Sequence, residues 1–337
     1  MQSFQSVKKD PKLIAQRVFG LLENEMKLVE ADFKSRAASN IQVINYLSEY
    51  LRESGGKRIR PTMLLLANGA AGGNSTNESV IRLATVMEMI HTATLVHDDI
   101  IDNAQTRRNA PSVNARFGNQ ASVLMGDWLY MTAFEVSLGE RNLELLDILT
   151  NLTKRMTEGE LIQLTVLGRS DLTEETYFEI LRRKTAYLFS ACCEIGAILA
   201  GATKERQEAL KSFGMNLGTA FQLADDLMDF TSDDEVMGKA SGADLIEGKL
   251  TLPLLLLVEK DPSIRKLLDG IMLEGAYKGN ARQDLLKRLK ETGALEATNK
   301  RAHEFAAEAK RNIEILPETE YRLALEDIPA LMIDRKS

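Results

Sequence analysis

The chain has 337 residues, of which 44% are hydrophobic and 27% are charged, and its formal net charge at pH 7 is −7. This composition is typical of a globular protein and excludes a disordered or fibrous chain. The acidic balance argues against nucleic-acid binding, so an anionic ligand must be held by local Lys/Arg clusters or by metal ions. The two cysteines, Cys192 and Cys193, are adjacent, which excludes a disulfide framework and is typical of a reducing cytosol.

Helices are predicted along the whole chain. No proline interrupts the segment between Pro111 and Pro253, and apolar residues recur there at i, i+3, i+4 and i+7. In chain order, the predicted helices are 12–36, 40–54, 60–71, 77–102, 118–138, 142–168, 173–201, 205–231, 250–269, 281–293, 297–314 and 318–334. We therefore predict a single all-α domain over residues 1–337, in which residues 1–11 form a loose N-terminal segment.

The sequence predicts neither a membrane span nor a targeting segment. The N-terminus lacks the apolar core of a signal peptide. The longest apolar stretches, 191–202 and 250–258, fall short of the roughly 18 to 20 residues that a spanning helix needs. We therefore expect a cytoplasmic protein, although its substrate can still be apolar.

Two acid motifs share one spacing. Asp98 and Asp102 begin and end an Asp-Asp-x-x-Asp sequence, which places both carboxylates on one face of a helix. Asp225, Asp226 and Asp229 repeat this spacing at the end of another apolar helix. A solvated helix end would explain one motif alone. The repetition indicates two facing carboxylate walls, which could clamp Mg²⁺ onto a polyanion.

Basic residues surround both acid motifs. Lys57, Arg58 and Arg60 lie at the start of a predicted helix, where backbone N–H groups also favour anions. The other basic residues of this set are Arg107, Arg108, Lys184, Lys239 and Lys249. Each one alone is more often a solvated charge. Together, in an acidic protein, they predict a site that handles diphosphate.

The ordered motifs resemble those of the trans-polyprenyl diphosphate synthases, of the long-chain heptaprenyl and octaprenyl type. The resemblance extends over about residues 12–337. The motifs that carry it are Gly55–Pro61, His91–Asp102, Arg107-Arg108, Lys184-Thr185, Phe221–Asp229 and Gly238–Asp244. It implies an isoprenoid synthase helical bundle with a central apolar cavity, a homodimer, and prenyl transfer that depends on two or three Mg²⁺ ions per site.

The resemblance also implies roles for individual residues. The metal ligands would be Asp98, Asp102 and Asp225, with Asp226 and Asp229 nearby. The allylic diphosphate would be held by Arg107, Lys184, Thr185, Gln222, Lys239 and Lys249. Isopentenyl diphosphate would be held by Lys57, Arg60, His91 and Arg108. Catalysis would depend on Asp98, Asp102, Arg107, Lys184, Asp225 and Lys239, with Thr185 and Gln222 near the developing cation.

The predicted reaction sets physical demands on the site. Cleavage of an allylic C–O bond releases diphosphate and leaves a carbocation, so the site must stabilise the leaving group and exclude water. The alkene of isopentenyl diphosphate then attacks the cation. The released diphosphate is a suitable acceptor for the proton that is lost, because few side-chain bases are present.

Product length is predicted from the helix that carries the first acid motif. Ala93 and Thr94 lie one turn before Asp98, where short-chain members of the family usually place an aromatic floor. Tyr130 and Phe134 could close the cavity at a deeper level. Because helix 77–102 rises about 1.5 Å per residue, it can flank a long chain, and we predict an all-trans product of about seven to ten isoprene units, or about C35–C50. Such a product would be a quinone side-chain precursor, with another lipid left open.

Three alternatives remain open from the sequence. The chain could be a terpene cyclase or head-to-head synthase of the same fold, which would not need isopentenyl diphosphate. It could be one subunit of a hetero-oligomeric synthase, which would be inactive alone. It could also be a helical scaffold that Ca²⁺ or Mg²⁺ stabilises. The preferred allylic starter is open as well.

Overall fold

The computed structural model describes residues 11–108, 110–231 and 242–333. Within these ranges the chain folds into α-helices joined by short segments. In chain order, the helices are α1 (Pro11–Leu21), α2 (Glu23–Arg36), α3 (Gln42–Glu53), α4 (Ile59–Ala70), α5 (Glu78–Ile101), α6 (Val113–Phe117), α7 (Asn119–Leu138), α8 (Leu143–Val166), α9 (Glu174–Leu181), α10 (Tyr187–Leu199), α11 (Lys204–Thr231), α12 (Ala243–Ile246), α13 (Leu252–Lys260), α14 (Arg265–Glu274), α15 (Ala281–Glu291), α16 (Ala294–Asn312) and α17 (Glu320–Ile333). The all-α prediction is confirmed.

Three predicted helices are divided in the structure, and one of them, 173–201, is divided by a π-helical turn between α9 and α10. The predicted helix 12–36 forms α1 and α2, which are separated by a turn at Leu22. The predicted helix 250–269 is broken at Asp261, which adopts an extended φ of −135° and ψ of 83° before Pro262. This break follows from proline, because its ring disfavours a helical conformation in the residue before it. Residues 1–10, predicted to be loose, lie outside the described residues.

A short hairpin lies between α5 and α6. Strand β1 (Thr106–Arg107) pairs antiparallel with β2 (Ala110–Pro111). Two-residue strands are too short to produce a period-2 pattern, so they could not be predicted from the sequence. The hairpin brings the paired arginines back toward the C-terminal end of α5.

Helix α5 lies at the centre of the bundle and packs against α2, α4, α7 and α10. It is the one described helix that is long and apolar enough to cross a membrane by length and composition, and 72% of its most apolar window is buried inside the protein. Its central position accounts for this apolar composition. The absence of a membrane span remains a prediction.

The described residues bury two apolar clusters. The larger one contains Leu64, Met87 and Phe189, and the smaller one contains Leu252 and Leu289. Helix α11 contributes to both, since its first half joins the larger cluster and its second half joins the smaller one. The second acid motif lies in the second half of this shared helix, and the single domain stays a prediction.

Candidate active site

The first acid motif lies in the last turn of α5. Asp98 is half-buried, and Asp102 caps the C-terminal end of the helix. The pKa of Asp98 is raised to about 7, chiefly by burial and also by Glu160 and Asp102, while Lys184 opposes the shift. Carboxylates are unfavourable at a helix C-terminus, where the macrodipole is negative. The site therefore holds more negative charge than its own side chains neutralise, as a cation-binding site requires.

The second acid motif lies near the end of α11. Asp226 accepts hydrogen bonds from the Tyr177 hydroxyl and from Gln222 Nε2, the latter at 3.0 Å. Asp229 Oδ1 accepts the Ala243 backbone N–H at 3.1 Å. Asp229 Oδ2 is buried and has no hydrogen-bond partner among the described residues. Burial, with a contribution from a neighbouring carboxylate, raises the pKa of Asp226 and of Asp229 to about 7.

Lys249 links the first acid motif to the segment that follows α12. Its Nζ lies 3.1 Å from Asp102 Oδ2 and 2.7 Å from Glu247 Oε2. Burial would lower the pKa of Lys249, but Asp102 and Glu247 raise it above its usual value. The ammonium group is therefore charged, and it connects the end of α5 with the segment that follows α12.

A π-helical turn, Arg182–Ala186, positions Lys184 and Thr185 between α9 and α10. Lys184 Nζ lies 2.9 Å from Glu160 Oε1 and 3.0 Å from Gln163 Oε1, both on α8. Thr185 Oγ1 donates a 2.8 Å hydrogen bond to Gln222 Oε1. Such single π-turns inside helices are frequent at functional sites. The sequence predicted an uninterrupted helix 173–201 and gave no sign of this turn.

These groups surround a cavity of about 170 Å³. Residues predicted to hold the allylic diphosphate line it: Lys184, Thr185, Gln222 and Lys249. Apolar side chains of α8 and α9 form part of its wall. Lys239, which belongs to the same predicted set, lies outside the described residues. The structure therefore brings the described members of the set together, with the exception of Arg107.

Arg107 lies in a second pocket with Arg108, which is the one residue of the predicted isopentenyl diphosphate set that lines it. Its Nε lies 2.8 and 2.9 Å from the two carboxylate oxygens of Asp99, and its Nη2 lies 2.7 Å from Asp99 Oδ1. Asp99 is only 2% exposed. Both residues line the pocket together with Arg58, Arg108 and Glu88. The hairpin thus directs Arg107 toward this pocket.

The glycine pair before α4 accommodates Arg108. Arg108 Nη1 donates to the Gly55 carbonyl oxygen. Gly56 has a φ of +152°, and a Cβ there would lie 2.6 Å from Arg108 Nη1. A larger residue at position 56 would therefore strain the backbone and displace the guanidinium group. Arg58 follows in the left-handed conformation, with a φ of 48°, at the N-cap of α4.

Arg60 and His91 do not line this pocket, but both interact electrostatically with residues that do, Arg60 with Glu88 and His91 with Arg108. The Arg60 guanidinium lies 5.0 Å from the ring centroid of Phe189 and 6.0 Å from that of Phe221. Burial and then the nearby arginines, Arg60 and Arg108 foremost, hold the pKa of His91 well below its usual value. His91 is therefore neutral at pH 7. Lys57 is exposed beside them.

The predicted length-determining residues lie where α5 meets α7. His97 stacks on Tyr130 of α7 with ring centroids 5.9 Å apart. Ala93, four residues earlier, is fully buried and lies on the same face of α5. Thr94 is partly buried and donates to the His91 carbonyl oxygen at 2.7 Å. Tyr130 and Phe134 both line a groove of about 570 Å³ between α7 and α8.

Sequence reasoning assigned no role to several residues of the site. They are Glu88, Asp99, Glu160 and Tyr177. Asp99 lies inside the first motif, and the motif's spacing does not indicate that this residue pairs with Arg107. Glu160 and Tyr177 are far from either motif in the chain, so only tertiary packing identifies them.

Comparisons with known proteins identify the family to which the chain is similar. The sequence model of the polyprenyl synthetase family matches residues 41–289. The octaprenyl diphosphate synthase of Escherichia coli (strain K12) is 38% identical over 322 residues, which cover 95% of this chain and 98% of that protein. The all-trans-nonaprenyl-diphosphate synthase (geranyl-diphosphate specific) of Rhodobacter capsulatus is 39% identical over 299 residues, covering 88% and 91%. The crystal structure of a polyprenyl synthase from Caulobacter crescentus CB15, complexed with calcium and isoprenyl diphosphate, superimposes with a TM-score of 0.89 at 36% identity, covering 96% of this chain and 98% of that one.

Proposed function

Because this chain belongs to the polyprenyl synthetase family and is a prenyltransferase, we propose that its two pockets bind an allylic diphosphate and isopentenyl diphosphate. Repeated condensation of the two gives a long all-trans polyprenyl diphosphate, a precursor of quinone side chains. The allylic substrate occupies the cavity that Lys184 and Lys249 line. Isopentenyl diphosphate occupies the second pocket, which Arg58, Arg107 and Arg108 line and which we call the arginine pocket.

The separation of the two pockets supports chain elongation most directly. No residue lines both of them within the described part of the chain. Asp98 interacts electrostatically with both of them, since Lys184 of one pocket and Arg107 of the other both lower its pKa. An elongating enzyme needs two diphosphate pockets beside one reacting centre. A cyclase of the same fold needs only one.

We propose that Mg²⁺ completes the site. The residues that would hold it are Asp98, Asp102, Asp225 and Asp229, and the buried, unpartnered Oδ2 of Asp229 fits this role. Among the described residues, no group of three or more His, Cys, Asp and Glu side chains is already arranged as a metal site. This agrees with Mg²⁺, which usually takes one or two carboxylates and fills its remaining positions with phosphate oxygens and water. Two or three bound ions would neutralise the leaving diphosphate.

The side chains of the two pockets orient the substrates and hold their charge. Lys184 and Lys249 bind oxygens of the allylic diphosphate, and Gln222 directs its amide dipole toward the carbon that becomes positive. The arginines and neutral His91 hold isopentenyl diphosphate so that its alkene faces that carbon. The apolar walls exclude water, which would otherwise quench the cation. The released diphosphate accepts the proton.

We also propose a cytoplasmic homodimer. Apolar side chains remain exposed on the outer faces of α7 and α8, among them Leu124 (68%), Met131 (63%) and Leu161 (58%). A second copy of the chain would cover such a surface, since large exposed apolar patches mark interaction sites. The two cysteines are free and buried, as suits a reducing compartment. Sedimentation at equilibrium would reveal the dimer.

Product analysis of the purified chain tests the function. The chain is incubated with Mg²⁺, labelled isopentenyl diphosphate and farnesyl diphosphate, and the dephosphorylated products are separated by length. We expect labelled long-chain products from this chain alone. A cyclase would leave isopentenyl diphosphate unused, and a subunit of a hetero-oligomeric synthase would form no product without its partner.

A further inference from the structure

A buried carboxylate lies inside the proposed isopentenyl diphosphate pocket. Glu88, in the middle of α5, is only 3% exposed and lines this pocket. Its Oε1 accepts a 2.8 Å hydrogen bond from Arg58 Nη1. Its Oε2 is buried and has no hydrogen-bond partner among the described residues. An acidic group in a pocket for an anion works against binding by its charge, so its presence needs an explanation.

The charged groups that act most strongly on Glu88 are arginines, although burial still raises its pKa above the usual value. Arg58, Arg60 and Arg108 all stabilise its charged form against the effect of burial. In turn, Glu88 is the strongest favourable influence on the charged form of Arg60 and of Arg108. These guanidinium groups come from the start of α4 and from the hairpin, so they meet only in the folded pocket. Their mutual repulsion would drive them apart if no anion lay between them.

We propose that Glu88 is a positioning residue for the arginine pocket. It holds Arg58 through Oε1 and offsets the repulsion among Arg58, Arg60 and Arg108. The guanidinium groups are then already close together before the substrate binds. The binding free energy of the diphosphate is therefore not reduced by the cost of bringing them together. This inference rests on the proposed function of the pocket.

Arg58 offers a matched control. Its Nε lies 2.5 Å from Glu30 Oε1 on α2. The Arg58 guanidinium therefore contacts two carboxylates, the buried Glu88 and the more exposed Glu30. The Glu30 side chain is 40% exposed and that of Glu88 is 4% exposed. Exposed ion pairs contribute little to stability. Glu30→Gln therefore removes a partner of the same arginine without changing the interior of the pocket.

The experiment compares Glu88→Gln, Glu88→Asp and Glu30→Gln by steady-state kinetics with both substrates. For Glu88→Gln we expect the KM for isopentenyl diphosphate to rise about tenfold or more, with the allylic KM and kcat nearly unchanged. Glu88→Asp, which keeps the charge, should recover part of the loss. Glu30→Gln should change the KM less than about fivefold. In an Arg58→Met background, Glu88→Gln should have a smaller effect, because one of the groups that Glu88 holds is gone.

A binding measurement separates this inference from the proposed function. Calorimetry with inorganic diphosphate and metal-free protein should show weaker binding to Glu88→Gln than to the unchanged chain. Tighter binding would overturn the inference, because Glu88 would then act only as a repulsive charge. An equal loss of kcat and of both substrate affinities, with a lower melting temperature, would show a purely structural role. If the unchanged chain bound diphosphate but consumed no isopentenyl diphosphate, the proposed function would fail while the effect of Glu88 on the arginines could still be measured.

Discussion

Asp98 shows how one residue connects the two pockets. Burial and the carboxylates of Glu160 and Asp102 favour its neutral form, whereas Lys184 and Arg107 favour its charged form. The net result is a pKa of about 7, far above that of an exposed aspartate. A bound cation would lower the pKa of Asp98, because it stabilises the charged carboxylate.

Replacing Asp98 tests its proposed role as a metal ligand. Asp98→Ala should lower turnover by several orders of magnitude at saturating Mg²⁺, because part of the clamp on the leaving group is lost. Circular dichroism should show an unchanged helical content. Asp147→Ala, at an exposed position of α8, is the matched control and should keep the original rate. Near-normal turnover of Asp98→Ala would contradict a metal site at the end of α5.

Reciprocal substitutions test the two pockets. Arg60→Ala should raise the KM for isopentenyl diphosphate by roughly 10- to 150-fold, which corresponds to a loss of about 1.5–3 kcal/mol for a charge-assisted contact. Lys249→Met should instead raise mainly the allylic KM. Initial rates with each substrate varied in turn measure both effects. If each variant weakened both substrates equally, the pockets would not be separate.

The sequence predicted candidate site residues but not the contacts that support them. The repeated acid motif predicted Asp98 and the basic clusters predicted Lys184, whereas Gln222 was implied by the family resemblance. The sequence could not predict the pairing of Arg107 with Asp99, which depends on a hairpin of two-residue strands. Nor could it place Arg107 away from the allylic cavity, since the direction of a loop is a tertiary property.

At the scale of the elements, helix periodicity predicted most helices and missed local irregularities. Helix α5 was predicted over 77–102 and extends over Glu78–Ile101. The π-turn at Arg182–Ala186 was missed, because it changes the hydrogen-bond pattern without changing the apolar spacing. Helix α12 is a single short turn that no periodic pattern can indicate. The proposed substrate contacts near these two irregular elements therefore depended on motif recognition.

The contact between α5 and α7 leads to a prediction of product length. Ala93→Phe should place an aromatic ring one turn beyond Asp98 and shorten the products to about three or four isoprene units, since the added volume fills the path of the chain. Phe134→Ala should shift the products toward greater length. Chromatography of the dephosphorylated products measures both. Condensation at the first step should persist in Ala93→Phe, and an unchanged long-chain distribution would show that the chain grows elsewhere.

At the scale of the whole molecule, the buried carboxyl groups predict how stability depends on pH. Asp98, Asp226 and Asp229 have pKa values of about 7 in the folded protein, above those expected in the unfolded chain. The folded state therefore binds more protons, and stability falls as pH rises through about 7. Without metal, the melting temperature should be higher at pH 5.5 than at pH 8.

Two controls test this dependence of the melting temperature on pH: a substitution at Asp98, and the addition of Mg²⁺ with inorganic diphosphate. Asp98→Asn should flatten the pH dependence, because one of the three titrating groups is removed. Mg²⁺ with inorganic diphosphate should stabilise the protein more at pH 8 than at pH 5.5, since ligands bind metal in their ionised form. A metal-free melting temperature that rose between pH 5.5 and pH 8 would contradict the raised pKa values.

The left-handed conformation of Arg108 has a consequence for laboratory evolution. Arg108 and Arg141 have the same φ of 53°, and only the first lies beside a substrate pocket. A non-glycine residue in this region costs about 1 kcal/mol or more, so glycine relieves strain at either position. A library selected only for heat resistance should therefore accumulate glycine at both. We expect Arg141→Gly to leave catalysis intact and Arg108→Gly to impair the use of isopentenyl diphosphate. Selection for heat resistance without an activity screen would therefore favour a variant at position 108 that has lost function.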